Sequence, residues 1–200
     1  MSDVIAAMTK DGYPHPTAFE IETAVAFLFF KKENCDLVLP EVGMGGNLDA
    51  TNIIKNTLLA VLVSISMDHM SFLGNTLAQI AEKKAGIIKD GCRVVTARQK
   101  PEAMQVIERI SREHGTKCTI ADASEAEVLK ESCLGQTIRY RGEEYEIPLA
   151  GVYQKENAVV ALNALKVLDE LGFPTAAEQK KEGLRTVNWN GRFTVICKKP

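Results

Sequence analysis

Residues 58–66 read Leu-Leu-Ala-Val-Leu-Val-Ser-Ile-Ser, an almost unbroken apolar run. A run of this kind is typical of a strand in a parallel sheet whose two faces are both covered by helices. Helical and strand-like patterns alternate through the first 120 residues of the chain. The alternation predicts an α/β fold with a doubly wound, mostly parallel sheet.

Capping patterns and hydrophobic periodicity predict the other elements. Two capping boxes, Thr17–Glu20 and Thr76–Gln79, each open a helix. A turn at Arg141-Gly142 separates two short β-like runs, which predicts a small β-hairpin insertion. We expect strands at 36–41 and 93–96, hairpin strands at 136–140 and 145–147, and helices from 17 to about 32, from 76 to about 88, from 101 to about 114, from 154 to 171 and after Thr175.

Composition excludes several classes of protein. The net charge of −2 argues against a nucleic-acid protein that relies on a basic field. No uncharged stretch of 18 residues is present, so the sequence predicts no membrane span. The five cysteines are scattered and contain no Cys-x-x-Cys pair, which favours reduced thiols in a cytoplasmic protein.

A glycine-rich stretch follows the predicted strand at 36–41. Residues 41–52 read Glu-Val-Gly-Met-Gly-Gly-Asn-Leu-Asp-Ala-Thr-Asn, with Glu41 and Asp49 on either side of the glycines. Glycines let the main chain approach a ligand closely. A carboxylate at the carboxyl end of a buried strand is placed where open α/β sheets bind ligands. A tight surface turn with incidental acids is an equal alternative.

Asp68-His69 lies just past the apolar run at 58–66. Neighbouring parallel strands present their carboxyl ends at one edge, so Glu41 and His69 are expected to face a common cleft. A carboxylate with an imidazole suits a divalent ion that also binds phosphate oxygens. The alternative is that His69 caps the next helix or packs under Phe72.

Three further residues carry weaker signals. Lys84 lies in a lysine-rich helical segment, which is usually a solvated face. Asn157, near the start of a helix, has an amide that can read an adenine edge, and so has Gln154 three residues before it; the alternative is that one of the two caps the helix. Arg192, after Gly191, has the planar donors that suit a phosphate, or else faces solvent in a turn.

Taken in order, these segments resemble the folylpolyglutamate synthase family, including its bifunctional dihydrofolate synthase form, within the Mur ligase superfamily. The segments that carry the resemblance are Thr17-Ala18-Phe19-Glu20, the 41–52 stretch, Asp68-His69 with Leu73-Gly74, Lys83-Lys84-Ala85-Gly86-Ile87, Gln154-x-x-Asn157-Ala158 and Trp189-x-Gly191-Arg192-Phe193. The resemblance implies a P-loop NTPase-like Mur ligase central domain at 1–187, incomplete here, and a linker at 188–200 toward a C-terminal domain.

The resemblance implies ATP-driven joining of L-glutamate to a folate carboxylate through an acyl phosphate. It assigns Glu41 to a magnesium ion near the phosphates and His69 to a second magnesium ion. It also makes Lys84, carried as a carbamate, and His69 catalytic residues.

The resemblance also implies the remaining contacts. Asn157 would contact adenine and Arg192 the ATP phosphates. Two segments would line the pterin site, Thr17, Ala18 and Phe19 in one and Leu48, Asp49 and Ala50 in the other. The implied partners are folate or dihydropteroate, L-glutamate and ATP, with no nucleic acid and no membrane, and the full-length form is expected to be a monomer.

The chain departs from the family pattern in several places. The Gly-x-x-Gly-Lys-[Ser/Thr] loop that cradles phosphates is not among the 200 residues, and the family's C-terminal domain is also missing. We therefore expect negligible ligase activity from these residues alone. Asn47 stands where the family usually has Arg, Lys83 where Glu is usual, and Asn190 where Pro is usual.

Two alternative functions remain open at this point. One is another Mur-type amide ligase that acts on a cell-wall precursor. The other is a non-catalytic remnant that binds folate or packs against a partner carrying the missing parts.

Overall fold

The computed structural model describes residues 2–68 and 70–189, apart from the side chains of Met70 and Ser71. The chain divides into two compact units, Met1–Lys55 and Asn56–Pro200. We call them the N-terminal unit and the sheet unit and describe each by itself. The predicted division into a domain at 1–187 and a linker at 188–200 stays a prediction.

The N-terminal unit contains two helices and an irregular segment at 43–49, which we call the glycine loop. Helix α1 spans Ser2–Lys10 and helix α2 spans Ala18–Lys32. Thr17 caps α2 in a full capping box with Glu20, which confirms that predicted start. A single 3-10 turn, Ala50–Ile53, follows the glycine loop.

The predicted strand at 36–41 is wrong. These residues carry no strand pairing among the described residues of the chain. A strand needs a hydrogen-bonded neighbour, and an apolar run alone does not supply one. Leu39, in the middle of the run, is 81% exposed.

The sheet unit contains three parallel strands in the order β1-β2-β3. The strands are β1 Leu59–Leu62, β2 Arg93–Ala97 and β3 Cys118–Ala121. Helices α3 (Met70–Leu73) and α4 (Leu77–Ala85) connect β1 to β2, and α5 (Pro101–Glu113) connects β2 to β3. The α/β class and the parallel sheet are thereby confirmed.

Two apolar clusters lie on opposite faces of this sheet. Val94 belongs to the cluster with residues of α4 and α5, and Val95 to the cluster with residues of helix α6 (Gln154–Glu170). Since neighbouring strand residues point to opposite faces, helices cover β2 on both sides. At β1 the predicted double coverage is partial on the α6 side, because Leu59 packs against that cluster while Val61 is 38% exposed.

A second, antiparallel sheet follows in the chain. Its strands are β4 Glu127–Ser132, β5 Gly135–Tyr140 and β6 Glu143–Ile147. The β5–β6 pair confirms the predicted hairpin, and β4 extends it to three strands. A buried amide, Asn163 of α6, donates to Tyr140 Oη of β5 at 3.1 Å and so ties this sheet to α6. Helix α7 (Ala177–Arg185) is the last described helix.

Candidate functional site

The glycine loop is closed by one carboxylate. Asp49 Oδ2 accepts a hydrogen bond from Met44 N at 2.9 Å. Asp49 Oδ1 accepts from Thr51 N at 2.9 Å and from Thr51 Oγ1 at 2.6 Å. One side chain therefore joins the two ends of the loop and caps the 3-10 turn that follows it.

The surroundings of Asp49 keep it ionised. Burial acts to raise the pKa of its carboxyl, but hydrogen bonds from Thr51 and from the main-chain N–H groups of Met44, Thr51 and Gly43 outweigh burial and lower the pKa. The negative charge of Asp49 is therefore stabilised by donors of Met44 and Thr51. Its predicted contact with substrate stays a prediction.

Phe19 of α2 packs against the loop at Gly43. A Cβ atom built on Gly43 would lie 2.7 Å from Phe19 Cζ and 3.3 Å from Asp49 Oδ2. Real Cβ atoms essentially never approach another atom to 2.7 Å, so glycine is what permits this approach of ring and main chain. The structure therefore brings together Phe19 and Asp49, one from each of the two segments that were predicted to line a pterin site.

The other residues predicted to contact the substrate differ in exposure and in whether other hydrogen bonds already engage their side chains. The Thr17 hydroxyl donates to Glu20 Oε2 at 2.8 Å and accepts from Glu20 N at 3.3 Å, so the helix cap occupies it. Thr17 main-chain and side-chain hydrogen bonds lower the pKa of the Glu20 carboxyl. Leu48 is 88% exposed and Phe19 is 41% exposed, whereas Ala50 is half-buried at the start of the 3-10 turn. The exposed Ala18 begins α2.

The Glu41 side chain has the properties expected of a magnesium ligand. It is exposed, and no hydrogen bond or ion pair to another described residue engages its oxygens. Carboxylate oxygens are ligands that Mg²⁺ accepts. Within 2–68 and 70–189, no group of three or more His, Cys, Asp or Glu side chains forms a metal site. His69 and Arg192, the other predicted metal and phosphate residues, lie outside the described residues.

Lys84 lies in the last turn of α4 and is half-buried. The preceding residue, Lys83, lines a shallow depression together with residues of α3, of α4 and of the turn between them. These are Phe72, Leu73, Gly74, Asn75, Gln79 and Glu82. The half-buried position of Lys84 departs from a fully solvated face, and the carbamate on it stays a prediction.

Asn157 lies in the first turn of α6. Its Nδ2 donates to Oε1 of the buried Gln154 at 3.1 Å, which fixes the orientation of the amide. The helix begins after Tyr153 with no side-chain cap, so the cap interpretation of Gln154 and Asn157 is wrong. The predicted contact of Asn157 with adenine stays a prediction.

Sequence reasoning missed Gln99, which follows β2. Its buried amide accepts from Ile65 N at 2.9 Å and donates to Val63 O at 2.9 Å. These bonds span more than 30 residues of sequence. No local pattern marks such a contact.

The chain is similar to known proteins in sequence and in fold. A family model described as the Mur ligase middle domain matches residues 4–165. A protein of Bacillus subtilis (strain 168) named dihydrofolate synthase/folylpolyglutamate synthase is 36% identical over 210 residues. That alignment covers 100% of this chain and 48% of the relative, so the chain spans about half the length of the relative.

Solved structures of folylpolyglutamate synthase (FPGS) share the fold. An FPGS–AMPPCP complex superposes with a TM-score of 0.87 at 30% identity, over 100% of this chain and 51% of that one. An FPGS–AMPPCP–folate complex gives a TM-score of 0.85 at 29% identity, over 98% of this chain and 49% of that one. Among the described helices, none has the length and apolarity needed to cross a membrane.

Proposed function

The chain belongs to the Mur ligase family, whose middle domain it matches. We propose that its function is in the ATP- and magnesium-dependent addition of L-glutamate to folates. A relative that aligns over the whole chain is named dihydrofolate synthase/folylpolyglutamate synthase. A similar solved protein is a complex with folate and AMPPCP, an analogue of ATP. We expect a cytoplasmic enzyme that is a monomer in its full-length form.

The proposed reaction has two steps. A folate carboxylate oxygen attacks the γ-phosphorus of ATP, the bond from that phosphorus to the ADP oxygen breaks, and an acyl phosphate forms. The glutamate amine then attacks the acyl carbon, phosphate leaves and the nitrogen gives up a proton. The protein's contribution is chiefly to position the reactants and to balance charge on the transferring phosphoryl group.

Each predicted residue has a part in this proposal. Glu41 would hold one magnesium ion and His69 a second, and bound magnesium supplies charge neutralisation at the phosphates. Lys84 as a carbamate would be an anion and so would no longer repel the metal. Asn157 would contact adenine, with its amide held by Gln154, and Arg192 would reach the phosphates.

The observation that carries the folate assignment is the contact of Phe19 with Gly43 beside Asp49. An aromatic face, the exposed apolar Leu48 and a fixed carboxylate together suit a flat heterocycle that has both apolar faces and polar edges. This wall supports a pterin in preference to a cell-wall precursor.

Calorimetry on the 200-residue chain tests this assignment. We expect dihydropteroate to bind to the wild type and to lose at least about tenfold in affinity, about 1.4 kcal/mol, in Phe19→Ala. Phe29→Ala is the matched control, since Phe29 is on the same helix, is 54% exposed and contacts Phe30 instead of the loop. Equal losses in both variants, or no binding to the wild type, would overturn the folate assignment.

Turnover is a separate question. The 200 residues contain no Gly-x-x-Gly-Lys-[Ser/Thr] loop, so we expect them to give negligible ATP-dependent addition of glutamate to tetrahydrofolate. Turnover near that of the Bacillus subtilis relative would contradict this expectation. Binding of dihydropteroate without any binding of Mg²⁺–AMPPCP would favour the non-catalytic remnant instead.

A further inference from the structure

Gln99 binds the main chain beyond the end of β1, after the β1–β2 ladder has ended. The last residue pair of the ladder is Leu62 with Thr96. Directly after β2, Arg98 N donates to Ala121 O of β3. The Gln99 side chain then supplies hydrogen bonds to the chain that leaves β1.

The two bonds follow the pattern of a parallel strand. In such a ladder, one residue donates its N–H to the carbonyl before its partner residue and accepts from the N–H after it. Gln99 Nε2 donates to Val63 O and Gln99 Oε1 accepts from Ile65 N, with Ser64 between them. The amide therefore takes the place of one peptide group of a neighbouring strand.

The orientation of this amide is fixed. Nε2 also donates to Thr96 Oγ1 at 3.1 Å, and Thr96 Oγ1 in turn donates to Ala97 O at 3.0 Å. A flipped amide would place two N–H groups together at Ile65 and two carbonyls together at Val63. Gln99 and Thr96 are both buried, so water does not replace these partners cheaply.

We propose that Gln99 is a positioning residue, which fixes residues 63–65 and through them the start of the Asp68-His69 segment. Ile65 is 6% exposed and belongs to the core, so the segment is anchored by its side chain as well as by its main chain. Asp68 N then donates to Ser66 O at 2.9 Å in a turn directly after it. The link from Gln99 to metal binding rests on the proposed function, which assigns a magnesium ion to His69.

Hydrogen exchange measured by NMR tests the positioning. Ile65 lies beyond β1, yet its amide is expected to be protected in the wild type. Gln99→Met keeps the bulk of the side chain and removes both main-chain bonds, so exchange at Ile65 should rise at least about tenfold while Ala60 and Leu62 stay protected. Asn163→Leu is the control, because it also removes a buried amide but belongs to the Tyr140 contact.

The outcomes separate this inference from the proposed function. An unprotected Ile65 amide in the wild type, or equal exchange at Ile65 in Gln99→Met and the wild type, would overturn the positioning role. Mn²⁺ alone serves as the metal probe, read by broadening of the His69 ring signals. We expect broadening in the wild type and Asn163→Leu, and weaker broadening in Gln99→Met at the same Mn²⁺ concentration. Faster exchange at Ile65 with no broadening in the wild type would support the positioning and would count against the metal assignment.

Discussion

The two units hold their predicted site residues by different means. In the sheet unit, strands and helices bury two apolar clusters, and side chains such as Ile107 and Val159 are fully buried. In the N-terminal unit, neither α1 nor α2 has a buried residue, and α2 exposes Leu28 by 61%. Hydrogen bonds of Asp49 and of the Thr17–Glu20 cap order this unit locally.

This difference determines which kind of substitution should disturb the predicted nucleotide residues and which should disturb the predicted pterin residues. A predicted nucleotide residue such as Asn157 is held by a helix that is packed into a core, so large packing defects should disturb it. The predicted pterin residues are held by a few polar contacts and one close ring contact, so small local changes should disturb them without unfolding the sheet unit.

Core substitution should give the largest effect and the clearest contrast. Ile107→Ala, in α5, leaves a cavity in a fully buried site and should lower the free energy of unfolding by about 2–5 kcal/mol. Leu28→Ala, in α2, removes a largely exposed side chain and should change it by no more than about 0.5 kcal/mol. Urea titration followed by circular dichroism measures both. Equal losses would break the contrast between the units.

A glycine pair separates binding from stability. Gly43→Ala forces the Phe19 ring away from the loop, and we expect about tenfold weaker dihydropteroate binding, about 1.4 kcal/mol. Because the half-exposed ring can move into solvent, the stability should change by less than about 1 kcal/mol. Gly183→Ala, in α7 with open space around it, should stabilise the protein by about 0.4–1 kcal/mol and leave binding unchanged. Calorimetry and thermal unfolding of both variants give the comparison, and unchanged binding in Gly43→Ala would contradict it.

A pair of helix caps, one in each unit, should give effects of similar size. Thr17→Ala removes a hydroxyl that accepts a hydrogen bond from Glu20 N, and Thr76→Ala removes one that accepts from Gln79 N. Each substitution should lower local stability by about 1 kcal/mol. Exchange of the amides in the first turn of α2 or α4 measures the loss. The contrast weakens if Thr17→Ala also speeds exchange in α4.

Two carboxylates should respond differently to salt, and this is the smallest effect. A hydrogen bond from Arg98 lowers the pKa of Asp122 in the sheet unit to about 2, with help from Ser124. The bonds that lower the pKa of Asp49 come from neutral donors instead. Added salt should therefore raise the pKa of Asp122 and leave that of Asp49 nearly unchanged. Carbon-13 NMR of the carboxyl groups measures both, and equal shifts would contradict the assignment of causes.

The sign of the pH effect follows from those directions. Both carboxyls have a folded pKa below the value of about 3.9 that is usual for an unfolded chain. Their contribution to stability is therefore present above that value. For Asp122 it is lost as the pH falls from about 4 toward about 2. Arg98→Met should move the lower end of this window upward.

Sequence patterns predicted the elements that have strong local signals. The Thr17 cap, the Pro101 helix start and the β5–β6 turn were all found, because capping and turn chemistry act over a few residues. Helix α1 and strand β4 were missed for the opposite reason. Helix α1 is nine residues long and has no buried residue, and every residue of β4 is exposed, so β4 shows no alternation of buried and exposed positions.

The site was predicted residue by residue, and its geometry was not. Asp49 was expected at a substrate wall, but its three bonds to Met44 and Thr51 depend on how the loop closes. Gln99 was missed because its partners at 63–65 are more than 30 residues away. Strand 36–41 was wrong because apolar composition does not specify a partner strand.

The proposed pterin site depends most on the wall that Phe19 and Asp49 form where they meet at Gly43. An NMR titration of the wild-type chain with dihydropteroate tests it most directly. We expect saturable shifts of the Phe19 ring signals and of the amides at 48–50. Saturable shifts confined to other residues, or no shifts at saturating dihydropteroate, would contradict it.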